Sequence, residues 1–163
     1  MKLSKKLAVI TGAGRGIGAS IAHTFAEEGA DLVLTARTRE QLERVAEDVR
    51  AKQRRAVVVP CDVSSPAEVQ KLASEVKEKF GQVDILVNNA GISNRSNLLD
   101  SDNDTWLEVI RINLFGVYLC CKAFFPLLQQ AGNGRIINMA STAGKSPVPF
   151  NTAYSASKHG VLG

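Results

Sequence analysis

Hydrophobic positions alternate between two patterns along this chain. Short apolar segments alternate with longer stretches whose apolar residues recur every three or four positions. The segments Leu7–Ile10, Leu32–Leu34, Ala56–Val59, Val83–Val87 and Arg135–Met139 predict five strands. Between the first two, Ile17, Ile21, Ala22, Phe25 and Ala26 share one face of a helix over 16–28, and Gly29 stops it. Thr38 and Gln41 predict a capping box for the next helix, which buries Leu42, Val45, Ala46 and Val49. Ser65-Pro66-Ala67-Glu68 supplies a cap, a first-position proline and a capping glutamate. The stripe Val69, Leu72, Ala73, Val76 and Phe80 follows, ended by Gly81. A long helix is expected from about Asp102 to Gln130, kinked at Pro126, and a last helix from near Thr152.

Five strands alternating with helices imply a parallel sheet covered on both faces, because parallel strands need crossover connections. Right-handed crossovers restrict this to doubly wound forms. The 163 residues suit one domain, with no repeat or linker to divide it.

Composition narrows the function classes. Hydrophobic content of 45% and charged content of 22% are ordinary for a globular domain. The net charge of +4 comes from basic residues scattered along helices, which argues against a nucleic-acid surface. Cys61, Cys120 and Cys121 match neither zinc nor redox spacing, so reduced, buried thiols and a cytoplasmic location are expected, with no metal. No apolar stretch is read as long enough to span a bilayer. The basic start Met1–Lys6 is not read as a cleaved signal, because the apolar run after it is the first strand.

Chemistry enters at the first strand's end, where Thr11-Gly12-Ala13-Gly14-Arg15-Gly16-Ile17-Gly18 leads into a helix. Such a turn lets backbone N–H groups approach a phosphate at a helix N-terminus. Ligands of doubly wound sheets bind at the carboxyl ends of strands, where Arg37, Asp62, Asn88 and Ser141 also fall. Tyr154 and Lys158 lie four apart on one helix face. The lysine ammonium would favour the charged form of the phenol, making Tyr154 a plausible proton donor. Asn113, a poor helix former inside the long helix, needs a hydrogen-bonding reason or a solvent-facing position.

Taken together, Gly12-x-x-x-Gly16-x-Gly18, Asp62, Asn88-Asn89-Ala90-Gly91, Asn113, Ser141 and Tyr154-x-x-x-Lys158 resemble the short-chain dehydrogenase/reductase family, including 3-oxoacyl-carrier-protein reductases. The resemblance implies a Rossmann-type sheet ordered 3-2-1-4-5, without the family's last two strands. It implies that Gly12, Gly16, Gly18 and Ile17 border a pyrophosphate, that Asp62 and Val63 meet an adenine, and that Asn88, Ala90 and Gly91 line a ribose and hold the fourth strand's end. Tyr154 would be the acid/base, Lys158 would bind the nicotinamide ribose, Ser141 would polarise the carbonyl, and Asn113 would hold a water leading to Lys158. His159 matches no role. The second strand runs into Thr35-Ala36-Arg37-Thr38 with no acid, so Arg37, helped by Arg15, is expected to favour NADP(H), with NAD(H) possible.

Family members continue well past Tyr-x-x-x-Lys, whereas this chain ends at Gly163. The expectation is therefore a single, C-terminally incomplete cofactor domain. Its ancestry is an enzyme acting on a small carbonyl or alcohol, and a homodimer or homotetramer when full length. As given, it would be a poor catalyst prone to self-association through the fifth strand, with its apolar stripe at Leu114, Val117 and Leu119 uncovered. The alternative is a truncated, non-catalytic dinucleotide-binding fragment.

Overall fold

In the computed structural model, which describes residues 1–163, five parallel strands form one sheet in the order β3-β2-β1-β4-β5. They are β1 (Leu7–Thr11), β2 (Asp31–Thr35), β3 (Ala56–Val58), β4 (Ile85–Asn88) and β5 (Arg135–Asn138). The helices are α1 (Gly16–Glu27), α2 (Arg39–Ala51), α3 (Pro66–Phe80), α4 (Asn103–Ile110), α5 (Gly116–Gln130) and α6 (Thr152–Leu162).

Strand side chains alternate between faces, so an unbroken apolar run supplies two cores at once. Val9, aligned with Val33 and Leu86, faces the cluster that also holds Leu72 and Val76 of α3 and Phe124 of α5. Its neighbours Ala8 and Ile10, with Leu32 and Leu34, face the cluster of α1 and α2. The clusters hold 17 and 15 buried residues, so both faces are filled nearly alike. Asp84 pins the sheet's N-terminal edge: Lys6 Nζ meets its Oδ1 at 2.8 Å and Leu7 N donates to its Oδ2 at 2.9 Å.

Several expectations change in detail. Thr38 stands before α2, but its side chain caps nothing, so the Thr38–Gln41 capping box does not form. Gln41 instead packs under the glycine turn, where a Cβ on Gly14 would come within 3.0 Å of Gln41 Cβ. Ser65 does cap α3, accepting from Glu68 N. In α1 the buried residues are Gly18, Ala22 and Ala26, while Ile17 is exposed. The fourth strand starts at Ile85 rather than Val83.

The long helix runs from Asn103 to Gln130, but Arg111–Phe115 forms a π-helical turn between α4 and α5. The sequence pattern gave no sign of this turn around Asn113; Pro126 lies inside α5. This 28-residue helix is also long and apolar enough to cross a bilayer by length and composition, contrary to expectation. Cys120, Phe124, Leu127 and Leu128 enter the domain core, which accounts for part of that apolarity. On its outer side Leu107, Phe115, Tyr118 and Phe125 are exposed, whereas Leu114, Val117 and Leu119 are half-buried.

Candidate functional site

The carboxyl ends of β1, β2 and β4 open onto one cleft of about 730 Å³. Its construction begins at Thr11, buried at the end of β1. Thr11 Oγ1 accepts from Asn89 N and Ala90 N, both at 3.0 Å, and so pins the turn after β4 against the turn after β1. Asn89 Nδ2 donates back to Thr11 O at 3.0 Å and to Gly12 O at 3.2 Å.

Two glycines are demanded by this closeness. Gly12 has φ +64°, and a Cβ there would lie 2.8 Å from Ala90 Cα. A Cβ on Gly18 would lie 2.2 Å from Gly12 O, so α1 can press onto the turn only without a side chain. The start of α1 carries no side-chain cap and no acidic residue in its first turn. Its N-terminal N–H groups, at Gly16 and Ile17 in the cleft wall, remain suited to an anion. The exposure of Ile17 has its explanation here, since it stands in the cleft wall rather than in the core.

Arg15, Arg37, Asp62 and Val63 line the end of the cleft toward β2 and β3. Asp62 Oδ1 accepts from Ser64 N (2.9 Å) and Ser64 Oγ (2.8 Å), which shapes its loop. Ala90, Gly91, Tyr154 and Lys158 line the other end. Lys158 Nζ sits 5.7 Å from the centre of the Tyr154 ring and donates to Met139 O at 2.5 Å. Burial pulls the Lys158 ammonium below the ordinary lysine value.

Four expected residues are not in the wall. Gly18 acts through packing. Ser141 follows Ala140, which does line the cleft, and its Oγ accepts from Ala143 N at 3.1 Å. Asn113 is fully buried, so a solvent-facing position for it is excluded. Its Oδ1 accepts from Ile92 N (2.8 Å), and its Nδ2 donates to Ile92 O (2.9 Å) and Ser157 Oγ (3.1 Å). Asn88 turns away from the cleft and donates to Asn138 Oδ1 at 2.8 Å and Cys121 Sγ at 3.3 Å. Its side chain therefore ties β4 to β5 and is not in the cleft wall; its neighbour Asn89 holds the cleft turn.

Gln41, Ser93 and Met139 are wall residues that sequence reasoning missed. Gln41 was hidden by its capping-box spacing, and Ser93 lies in a loop without periodicity. Cys61, read only as a buried thiol, also lines the cleft, and burial pushes it up to about 12. No His/Cys/Asp/Glu cluster has metal-binding geometry.

The family described as short chain dehydrogenase matches residues 6–163. The 3-oxoacyl-[acyl-carrier-protein] reductase of Staphylococcus epidermidis is 38% identical over 159 residues, covering 97% of this chain and 65% of that protein. A metagenomic short-chain oxidoreductase in complex with NADP is 40% identical with a TM-score of 0.94, covering 99% of this chain and 74% of that one. An NAD+-bound xylitol dehydrogenase is 35% identical with a TM-score of 0.95, covering 99% and 63%. The chain thus spans about two thirds of the length of such relatives. A glycine turn pinned by Thr11, a cleft shared with Tyr154 and Lys158, and a match over nearly every residue lead to one conclusion: this chain belongs to the short-chain dehydrogenase family.

Proposed function

We propose that this chain carries the cofactor site and acid/base residues of an NADP(H)-dependent oxidoreductase that interconverts a carbonyl and a secondary alcohol. The observation that carries the reading is that Tyr154 and Lys158 line the same cleft as the glycine turn. Gly12, Gly16 and Ile17 would hold the pyrophosphate at the open start of α1. Asp62 and Val63 would border the adenine, and Ala90 and Gly91 the ribose. When bound, the nicotinamide supplies a hydride to the carbonyl carbon or accepts one from the alcohol. Tyr154 Oη gives its proton to the carbonyl oxygen in reduction and takes it back in oxidation. Lys158 would hold the nicotinamide ribose and keep the phenol's surroundings positive. The Ser141 hydroxyl, which accepts one hydrogen bond, keeps its own proton to donate to the developing oxyanion. The Asn113 amide is occupied by Ile92 and Ser157, so a water leading toward Lys158 would have to use the Asn113 backbone.

Preference for NADP(H) rests on Arg15 and Arg37 in the cleft wall and on the absence of a carboxylate directly after β2. The exposed aromatic face formed by Phe115 of the π-helical turn with Tyr118 and Phe125 of α5 supports a homo-oligomer. A second reading, dinucleotide binding without turnover, is favoured by the exposure of β5 on every residue and by Ser141 standing outside the cleft wall. The experiment titrates NADPH and NADH onto the chain and onto Tyr154→Phe, then assays both with a panel of aldehydes and ketones. The expected results are tighter binding of NADPH, cofactor affinity within about twofold in the variant, and at least a hundredfold loss of any turnover. Near-normal turnover by Tyr154→Phe would remove Tyr154 from the mechanism. Cofactor binding without turnover by the unmutated chain would establish the second reading.

A further inference from the structure

Arg37 lies two residues past the end of β2 and lines the cleft. Its guanidinium Nη1 stands 3.8 Å from Oε1 of Glu108, and this is the only ion pair either residue makes. Glu108 belongs to α4 and is not itself a wall residue, but Ile112, four residues on, is. The pair therefore ties Arg37, at the end of the cleft that Asp62 and Val63 also line, to α4.

We infer that Glu108 sets cofactor selectivity by competing for Arg37, lowering the preference for a ribose 2′-phosphate that Arg37 confers. The inference rests on the reading of Arg37 as the 2′-phosphate contact. A ligand without that phosphate leaves the Arg37–Glu108 pair in place. A ligand with it must draw the guanidinium away from Glu108, so the phosphate gains only the difference between the two ion pairs. Arg15 and Asp62, the other charged wall residues at this end, make no ion pair, so neither holds Glu108 in place of Arg37. Both members of the pair are more than a third exposed, so the effect is that of a solvated ion pair.

The test uses 2′,5′-ADP and 5′-AMP as probes, titrated calorimetrically onto the unmutated chain, Glu108→Gln, Arg37→Gln and the double variant. Glu108 is half-exposed on a helix and Gln is an equally good helix former, so the variant folds. Glu108→Gln should tighten 2′,5′-ADP by about twofold to fivefold and leave 5′-AMP unchanged. The gain should disappear in the Arg37→Gln background and shrink at about 1 M salt, where the Debye length is about 3 Å. Unchanged 2′,5′-ADP affinity in Glu108→Gln, with weakened affinity in Arg37→Gln, sinks this inference and leaves the Arg37 reading standing. An Arg37→Gln variant that loses nothing sinks the Arg37 reading as well. A gain that persists in the double variant shows repulsion acting without Arg37 and also overturns the inference.

Discussion

Asn113 Nδ2 donates to Ser157 Oγ at 3.1 Å, and Ser157 Oγ in turn donates to Tyr154 O at 2.7 Å. The π-helical turn at Arg111–Phe115 is thereby tied to the helix that carries Tyr154 and Lys158. Asn113 also holds both backbone groups of Ile92, a cleft-wall residue. A residue outside the cleft thus joins two of the segments that form it.

Asn113→Ala should leave the N–H and C=O of Ile92 and the Ser157 hydroxyl without this partner in the interior. A buried polar group stripped of its partner costs about 1–3 kcal/mol, so the sum for the variant should exceed about 2 kcal/mol. Urea denaturation checks it; a midpoint unchanged from the unmutated chain would show that the tie is dispensable.

Gly18→Ala should be severely damaging. The added Cβ would meet Gly12 O at 2.2 Å, and that oxygen is backbone in a turn held by Asn89. Either α1 lifts off β1 or the turn distorts. Overpacking of this kind costs about 1–3 kcal/mol or more. Thermal unfolding and NADPH titration should worsen together, whereas Ala at the exposed Ser20 of the same helix should change neither.

Lys158→Met should weaken cofactor binding yet hold or raise the melting temperature of the cofactor-free chain at pH 7. Burial depresses the folded-state value of Lys158 below 10.5, so the folded chain binds fewer protons than the unfolded one between those two values. The unfavourable contribution is full below the depressed value and fades as pH rises toward 10.5. The advantage of Lys158→Met should therefore narrow across that window. A melting temperature well below that of the unmutated chain at pH 7 would show that the bond to Met139 O outweighs desolvation.

The thiols should be slow to react in the folded chain. Burial is the largest cause in each case: it pushes Cys61 and Cys120 up to about 12, and raises Cys121 despite the bond from Asn88. Ellman's reagent at pH 8 should modify no thiol rapidly until denaturant is added, when all three react. Fast labelling of Cys61 would mean that the cleft opens more than this structure shows.

Length, periodicity and turn chemistry determined much of this protein from sequence. Unbroken apolar runs identify strands buried on both faces, helical stripes identify their covers, and the order of elements restricts the sheet to a doubly wound form. The glycine turn and the Tyr154–Lys158 spacing were legible because they are local: a turn needs residues that are neighbours in the chain, and a helix face repeats every three to four residues. Tertiary structure decided what depends on residues far apart. Asn88 and Asn89 are adjacent and chemically identical, yet opposite directions along the backbone send one into the β4–β5 tie and the other onto the glycine turn. Asn113 was identifiable as a misfit in a helix, but only packing against Ile92 and Ser157, 21 and 44 residues away, shows why it is there. Glu108 carried no signal at all, because its meeting with Arg37 joins two elements far apart in the chain.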